Sequence, residues 1–236
     1  MKAIILAAGS GTRLRPLTDS IPKCLLPIHG VPLLEIWLEN CHAAGICDVL
    51  VNAHAHAEMV RKFAGKHSSA VRVQVAEEPQ LLGSAGTLWE NRRFVAGEKA
   101  FFVLYGDLLS NVRLAGMLAF HGQRKLPVTL GIYQVTNPSQ CGIVTTDHEG
   151  VVRSFVEKPI QPATNWAFSG IMVASPQIID RVPAQRPADI GLHLLPLLTG
   201  QMTAYPIQEY LLDIGTLSNY EAAHSSWPGL RRAHEH

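Results

Sequence analysis

Gly9-Ser10-Gly11, Arg13 and Lys23 stand within one short stretch, and together they hold the means to bind concentrated negative charge. The two glycines let backbone N–H groups approach a ligand closely, and clustered backbone amides suit phosphate oxygens. Arg13 follows the turn at once, and Lys23 is braced between Pro22 and Pro27. The glycines alone describe no more than a tight turn; the whole run describes an anion pocket. Further along, Gly106-Asp107 and Leu212-Asp213-Ile214-Gly215 each offer a carboxylate. Either aspartate by itself suits a helix cap as well as a ligand. As a pair they gain weight, because Mg2+ on a phosphate chain needs only one or two protein carboxylates and completes its octahedron with phosphate and water oxygens. Glu157-Lys158-Pro159 sets an acceptor beside a cation. In most places that is an exposed ion pair; at a strand end it suits a phosphorylated polyol.

Two common phosphate motifs are excluded. A dinucleotide fingerprint needs glycine where Leu14 stands, and no Gly-Lys-Ser/Thr closes a longer turn as a Walker A loop requires. The run Gly9-Ser10-Gly11-Thr12-Arg13-Leu14-Arg15-Pro16-Leu17-Thr18, followed by Pro22-Lys23-Cys24-Leu25-Leu26-Pro27-Ile28, closely resembles the signature of the sugar-phosphate nucleotidyltransferases, or nucleotide-sugar pyrophosphorylases. That signature reads G-x-G-T-R-L-x-P-L-T, a spacer, then P-K-x-L-L-P-I. The resemblance extends from Lys2 to about Tyr220 and is nearest to short mannose- or heptose-1-phosphate guanylyltransferases.

The resemblance implies an α/β fold: a mixed, mainly parallel twisted sheet flanked by helices, Rossmann-like and GT-A-like, with a β-rich sugar-binding part. It implies transfer of a nucleoside monophosphate from an NTP to a sugar 1-phosphate, with Mg2+ as cofactor and pyrophosphate as second product. Arg13, Lys23 and Asp107 are then catalytic, and Asp107 and Asp213 hold the metal. Leu6, Ala7, Ala8, Gly9, Gly11 and Thr12 line the nucleotide. Pro79-Gln80-Leu81-Leu82-Gly83-Ser84-Ala85-Gly86-Thr87 resembles the P-x-x-L-G-T-A-G loop, which sets Gln80, Gly83 and Ser84 against the base. Gly142, Glu157, Lys158 and Ser169 fall to the sugar phosphate, although Ser169, inside a strand, reads equally well without a ligand role. Departures from the pattern include Leu211 for a tryptophan, Asn111 for a second aspartate, Cys141 for an aromatic residue and Phe168-Ser169 for an N-A pair. GTP with a manno-configured sugar phosphate is the first expectation, and UTP or dTTP with glucose-type or N-acetylhexosamine-type sugars the alternative. A non-catalytic nucleotide-sugar sensor is the expectation of another class; such proteins lose the arginine, lysine or carboxylates that this chain keeps. A phosphocholine cytidylyltransferase would need an aromatic choline cage, and few aromatics lie near the acceptor segments.

The elements that must position these groups follow from hydrophobic period. Lys2–Ala8 reads as a buried strand ending in the glycine turn. Pro32 opens a helix whose apolar face is Leu33, Leu34, Trp37, Leu38, Cys41 and Ala44, and Gly45 ends it. A strand at Cys47–Val51, a polar helix around Glu58–Lys66 and an alternating strand through Val71, Val73 and Val75 follow. Ser84 caps a helix to about Arg93, and Ala100–Tyr105 is another buried strand. Such βα units predict a parallel sheet with its ligand crevice at the strands' carboxyl ends, which puts Gly9–Arg13 and Asp107 on one rim. The second half is β-rich: Val128–Val135, Cys141–Thr146, Val151–Glu157 and Trp166–Ala174, with a hairpin turn at Asp147–Gly150. A short helix from Pro176, a helix over Ile190–Leu198, a strand over Thr203–Ile207 and a closing helix over Thr216–Ala223 complete the chain. Trp37 and Trp89 read as core. The expectation is one domain over 1–236, with a nucleotide-binding part at about 1–110 and a sugar-phosphate-binding part at about 111–225.

At 236 residues the chain can bury a sizeable core, and its net charge of +1 without a basic block points away from nucleic acid and anionic membranes. The first apolar run is a core strand rather than a leader, and no stretch is long enough to span a bilayer. Four cysteines without C-x-x-C spacing read as reduced thiols in a cytoplasmic protein. The eleven histidines are scattered; His54 and His56 read as loop or surface residues rather than a metal pair. Arg231–His236 reads as a polar tail, and the position of the chain end implies a form without the β-helix extension of bifunctional members. Nothing in the sequence opposes a homo-oligomer.

Overall fold

The computed structural model describes residues 1–67 and 70–230; the polar tail at Arg231–His236 lies outside the described residues. β1 (Lys2–Leu6) is shorter than expected from the apolar run, because the amides of Ala7 and Ala8 leave the sheet for a side-chain partner. β2 (Pro27–Ile28) and β3 (Val31–Pro32) form a small hairpin. Its turn residues, His29 and Gly30, have φ of 49° and 84°, as a type I′ turn requires. α1 (Leu33–Ala43) buries Leu33, Leu34, Trp37, Leu38 and Cys41, and stops before Gly45 in its left-handed conformation. β4 (Asp48–Ala53), α2 (Ala57–Lys66) and β5 (Arg72–Glu77) follow as alternating units.

α3 (Ser84–Glu90) ends short of Arg93, the remainder being turns, and β6 (Phe101–Tyr105) and β7 (Leu108–Ser110) lead to α4 (Leu114–Gln123). α4 has no counterpart among the helices expected from the sequence. Its residues are apolar on every side and include Gly116 and Gly122, so no helical period stands out. The β-rich region contains β8 (Val128–Gln134), β9 (Gly142–Thr146), β10 (Val152–Glu157) and β11 (Trp166–Ala174). Ile190–Leu198 is not a regular helix: a π-type turn over Ile190–Leu194 passes into a 3-10 turn over Leu195–Leu198. Pro196, which lacks an N–H, sits where an α-helix would need one. β12 (Met202–Pro206), β13 (Leu211–Asp213) and α5 (Leu217–Ser226) close the described chain.

By packing, the chain divides into two compact units that interleave in sequence. One holds Met1–Leu81, Leu104–Ala115 and the segment from Glu209; the other holds Leu82–Val103 and Gly116–Gln208. This division differs from a single cut near residue 110. In the first unit β1, β4 and β5 are parallel, running in register from Lys2↔Asp48 to Leu6↔Asn52 and from Asp48↔Arg72 to Ala53↔Glu77. Ile4, Ile5, Val49, Leu50 and Val51 are fully buried, as strands covered on both faces require. Each contributes about 1.5–3 kcal/mol by leaving water. In the second unit β8 pairs with β11 antiparallel and with β12 parallel, and β9 pairs with β10 as the expected hairpin. The α/β class with a mixed, helix-flanked sheet is therefore the observed one. His121 is buried on α4, with Nδ1 2.9 Å from Thr129 Oγ1. Among the described residues, no helix is long and apolar enough to cross a membrane.

Candidate active site

In the first unit, chain ends that leave the sheet are drawn together by backbone hydrogen bonds. The amide of Gly106 donates to Leu6 O at 2.9 Å, and a Cβ added there would lie 3.1 Å from Ala7 Cβ. Asp107 therefore emerges hard against the end of β1. Its carbonyl accepts from Ile214 N at 3.0 Å, and β7 pairs with β13 so that Leu108 faces Asp213. Trp37, buried as expected, donates Nε1–H to Leu108 O at 2.7 Å and fixes that pair from α1. The two aspartates named from the sequence are thus neighbours.

Lys23 and Arg13 join them. Lys23 begins a 3-10 turn, and its Nζ lies 2.8 Å from Asp107 Oδ2, with only 12% of the lysine side chain exposed. Asp213 Oδ1 accepts from Gly215 N at 2.6 Å. A Cβ at Gly215 would stand 2.7 Å from that oxygen and 3.1 Å from Arg13 Nη2, so one glycine separates carboxylate from guanidinium. Burial pushes the Asp213 carboxyl above its usual range, and the Asp107 charge adds to this. The Gly215 amide, Lys23 and Arg13 pull it back down. Two hard carboxylates that repel each other can be relieved by a small, hard cation. Cys24, next to Lys23, is inert by comparison: burial pushes its thiol up to about 12.

The glycine loop is held at both ends. Asn52 Oδ1 accepts from Ala7 N at 2.6 Å and Ala8 N at 3.3 Å, so those two residues can offer a ligand their carbonyls and methyl groups. Gly11 takes φ 65°, and Thr18 Oγ1 donates to its carbonyl at 2.8 Å. A Cβ at Gly11 would lie 2.9 Å from Thr18 Cγ2, whereas a Cβ at Gly9 would meet no atom within 4 Å. Protein packing therefore demands glycine at 11 and leaves the space over Gly9 open. Thr12 and Arg13 are exposed beside it. Leu6 is the last residue of β1.

Asn111 and α5 brace the segments that carry the aspartates. Asn111 Oδ1 accepts from Tyr210 N at 3.0 Å and Nδ2 donates to Gly229 O at 3.1 Å. An aspartate there could not make the second bond, which gives the departure from the family pattern a physical reason. Asn219 Nδ2 donates to Asp213 O at 2.7 Å, and Thr216 Oγ1 caps α5 through Asn219 N. Tyr220 O–H donates to Pro27 O at 2.7 Å.

The remaining candidates are divided between the two units. Gln80 is exposed in the first unit. In the second unit Gly83 is packed against the Ala188 backbone, and Ala85 N and Gly86 N both donate to Ala188 O. Ser84 Oγ accepts from Ile190 N at 2.7 Å and lies 3.3 Å from Asp189 Oδ1. Trp89 is half-buried, with the Arg92 guanidinium 4.5 Å from its ring. Glu157 occupies a cradle between two glycines: a Cβ at Gly142 would stand 2.7 Å from its Oε2, and one at Gly191 2.5 Å. Burial raises the Glu157 carboxyl, Lys158 lowers it and Asp189 raises it further. Lys158 takes φ 47° just before Pro159, a strained backbone for a lysine, and its amide donates to Cys141 O at 2.9 Å. Ser169 is buried, and its Oγ accepts from Ile171 N at 3.2 Å beside Gly131. His54 Nδ1 lies 2.7 Å from Glu78 O. Among the described residues no group of three His, Cys, Asp or Glu is placed to hold a metal ion.

Sequence reasoning passed over Asn52, Asn219, Tyr220 and Asp189. Only Asn52 carried a visible signal: a lone amide directly after the apolar run Val49-Leu50-Val51.

A parallel sheet with a glycine loop and a charged cluster at its carboxyl rim defines an α/β protein of the Rossmann-like kind. The family model described as nucleotidyl transferase matches residues 2–228, and the chain belongs to that family. It is 31% identical over 229 residues to a mannose-1-phosphate guanyltransferase of Schizosaccharomyces pombe, covering 93% of this chain and 62% of that protein. A mannose-1-phosphate guanylyltransferase of Mycobacterium tuberculosis is 32% identical over 223 residues, covering 92% of this chain and again 62% of the relative. The chain thus spans somewhat less than two thirds of these relatives. The crystal structure of HddC from Yersinia pseudotuberculosis complexed with GMP-PN matches with a TM-score of 0.79 at 25% identity, covering 95% of this chain and 98% of that one.

Proposed function

We propose that the chain transfers a nucleoside monophosphate from an NTP to a sugar 1-phosphate, releasing pyrophosphate, with GTP and a mannose- or heptose-type 1-phosphate as substrates. The carrying observation is the meeting of Arg13, Lys23, Asp107 and Asp213 within one unit, beside a glycine loop with open space over Gly9. The guanylyltransferase names of the relatives and the GMP-PN bound by HddC favour guanine as the base. Four free cysteines suit a reducing, cytoplasmic setting.

In this reaction an oxygen of the sugar phosphate attacks the α-phosphorus in line and pyrophosphate departs. No covalent enzyme intermediate is needed, so catalysis is alignment and charge stabilisation. Arg13 neutralises the departing β- and γ-phosphates. Lys23, held by Asp107, sits with its ammonium ready for the charge that builds at the α-phosphate. Lys158 and Glu157 take the acceptor's phosphate and hydroxyls. Asp107 and Asp213 have the hard oxygen donors that suit Mg2+, which when bound screens the phosphate charge and supports the leaving group.

The test is pyrophosphate release over a matrix of nucleoside triphosphates and sugar 1-phosphates, with and without Mg2+. GTP with a manno-configured acceptor is expected to turn over fastest. Preference for UTP or dTTP with glucose-type or N-acetylhexosamine-type acceptors would move the specificity to those substrates. Silence throughout, with nucleotide sugar still bound, would make the protein a sensor. Lys23→Ala should lower kcat by about a hundredfold or more. Near-normal turnover in that variant would remove the lysine from the mechanism.

A further inference from the structure

We propose that Asn52, which lies outside the signature, is a positioning residue that sets the backbone of the phosphate loop, and that buried Glu78 holds its amide in the working orientation. The inference rests on the reading above insofar as that loop binds phosphate. In the parallel β1–β4 pair, Asn52 stands opposite Leu6, the last residue of β1. Ala7 and Ala8 have left the ladder there, and their N–H groups need an acceptor. Asn52 Oδ1 serves both, at 2.6 and 3.3 Å. A flipped amide would aim its own N–H groups at those donors, so only one orientation works. Glu78 enforces it: Oε1 accepts from Asn52 Nδ2 at 2.9 Å, and both side chains are buried. The Glu78 backbone is itself fixed, with its amide on Ala53 O at 2.8 Å and its carbonyl 2.7 Å from His54 Nδ1. A chain of contacts thus runs from the end of β5 through Asn52 to the first residues of the loop. The course of the chain from the end of β1 to Gly9 depends on it.

An amide–acid exchange tests this. Asn52→Asp keeps the acceptor for Ala7 and Ala8 but sets a second carboxylate against Glu78; Asn52→Asp with Glu78→Gln restores a donor–acceptor pair with the roles reversed. Binding of inorganic tripolyphosphate by calorimetry and amide hydrogen exchange across residues 6–12 are the readouts, with thermal melting as control. Asn52→Asp should weaken tripolyphosphate binding by about tenfold and speed exchange in that segment, and the double variant should recover both. Unchanged binding and exchange in Asn52→Asp, or a double variant no better than the single one, overturns the assignment. If the unaltered protein binds no tripolyphosphate while the exchange response follows this pattern, the phosphate reading fails and the loop-setting role of Asn52 stands.

Discussion

Gly9 and Gly11 are two residues apart and answer to different demands. Gly11 is required by the protein, since its left-handed φ and the Thr18 methyl leave no room for a Cβ. Gly11→Ala should destabilise the fold by about 1–3 kcal/mol in denaturant melts. Gly9→Ala should leave stability within about 0.5 kcal/mol. If a nucleotide phosphate lies over Gly9, the same change weakens NTP binding by about tenfold. Unaltered NTP affinity in Gly9→Ala would mean that the open space is not the phosphate site. Glu157 is a second residue at which the proposed function and stability pull apart. Its carboxyl is raised, chiefly by burial, so the unfolded chain ionises first and folding loses stability as pH rises above the ordinary glutamate range. Glu157→Gln should therefore raise the melting temperature at neutral pH and raise KM for the sugar phosphate by about tenfold. A lowered melting temperature would show that the carboxylate is instead a stabilising member of its glycine cradle.

Among the elements, α4 and β8 offer a pH test independent of catalysis. Burial lowers the His121 pKa from 6.5, so the folded protein keeps the imidazole neutral against Thr129. The unfolded chain binds a proton there more readily. Stability contributed by this site is complete above about pH 6.5 and declines as pH falls below it. His121→Gln should flatten that part of the melting-temperature profile between about pH 7 and 5. The contrast between α1 and α4 also explains what could be read from sequence. α1 has a one-sided apolar face and a stop glycine, whereas α4 is apolar all round and carries no such marks. Likewise Arg13 and Lys23 were legible because their motif is continuous along the chain. Asn52 was not legible as a partner of Ala7 and Ala8, because that contact depends on which strand lies beside β1 and in what register. Asp107 and Asp213 lay between these cases: each was recognisable locally, but their adjacency required the β7–β13 pairing. The turn at Ile190–Leu198 misled because its apolar spacing is helical while Pro196 forbids the regular hydrogen bonds.

For the whole molecule, binding at the charged cluster should appear as stability. GTP with Mg2+ at a hundred times its Kd would add about 2.7 kcal/mol, and EDTA should remove most of that gain together with turnover. Asp213→Asn should lose the metal-dependent part of the melting shift; a full shift in that variant would place the cation elsewhere. The first unit gathers three separate stretches of chain around this cluster, so the signature motif is completed by residues far along the sequence. The cysteines differ in how they would meet an alkylating or oxidising environment. Cys24 adjoins Lys23 but is sealed in the core with its proton tightly held, while Cys47 lies on the surface. Iodoacetamide should therefore label Cys47 well before Cys24, and peroxide should spare the thiol next to Lys23.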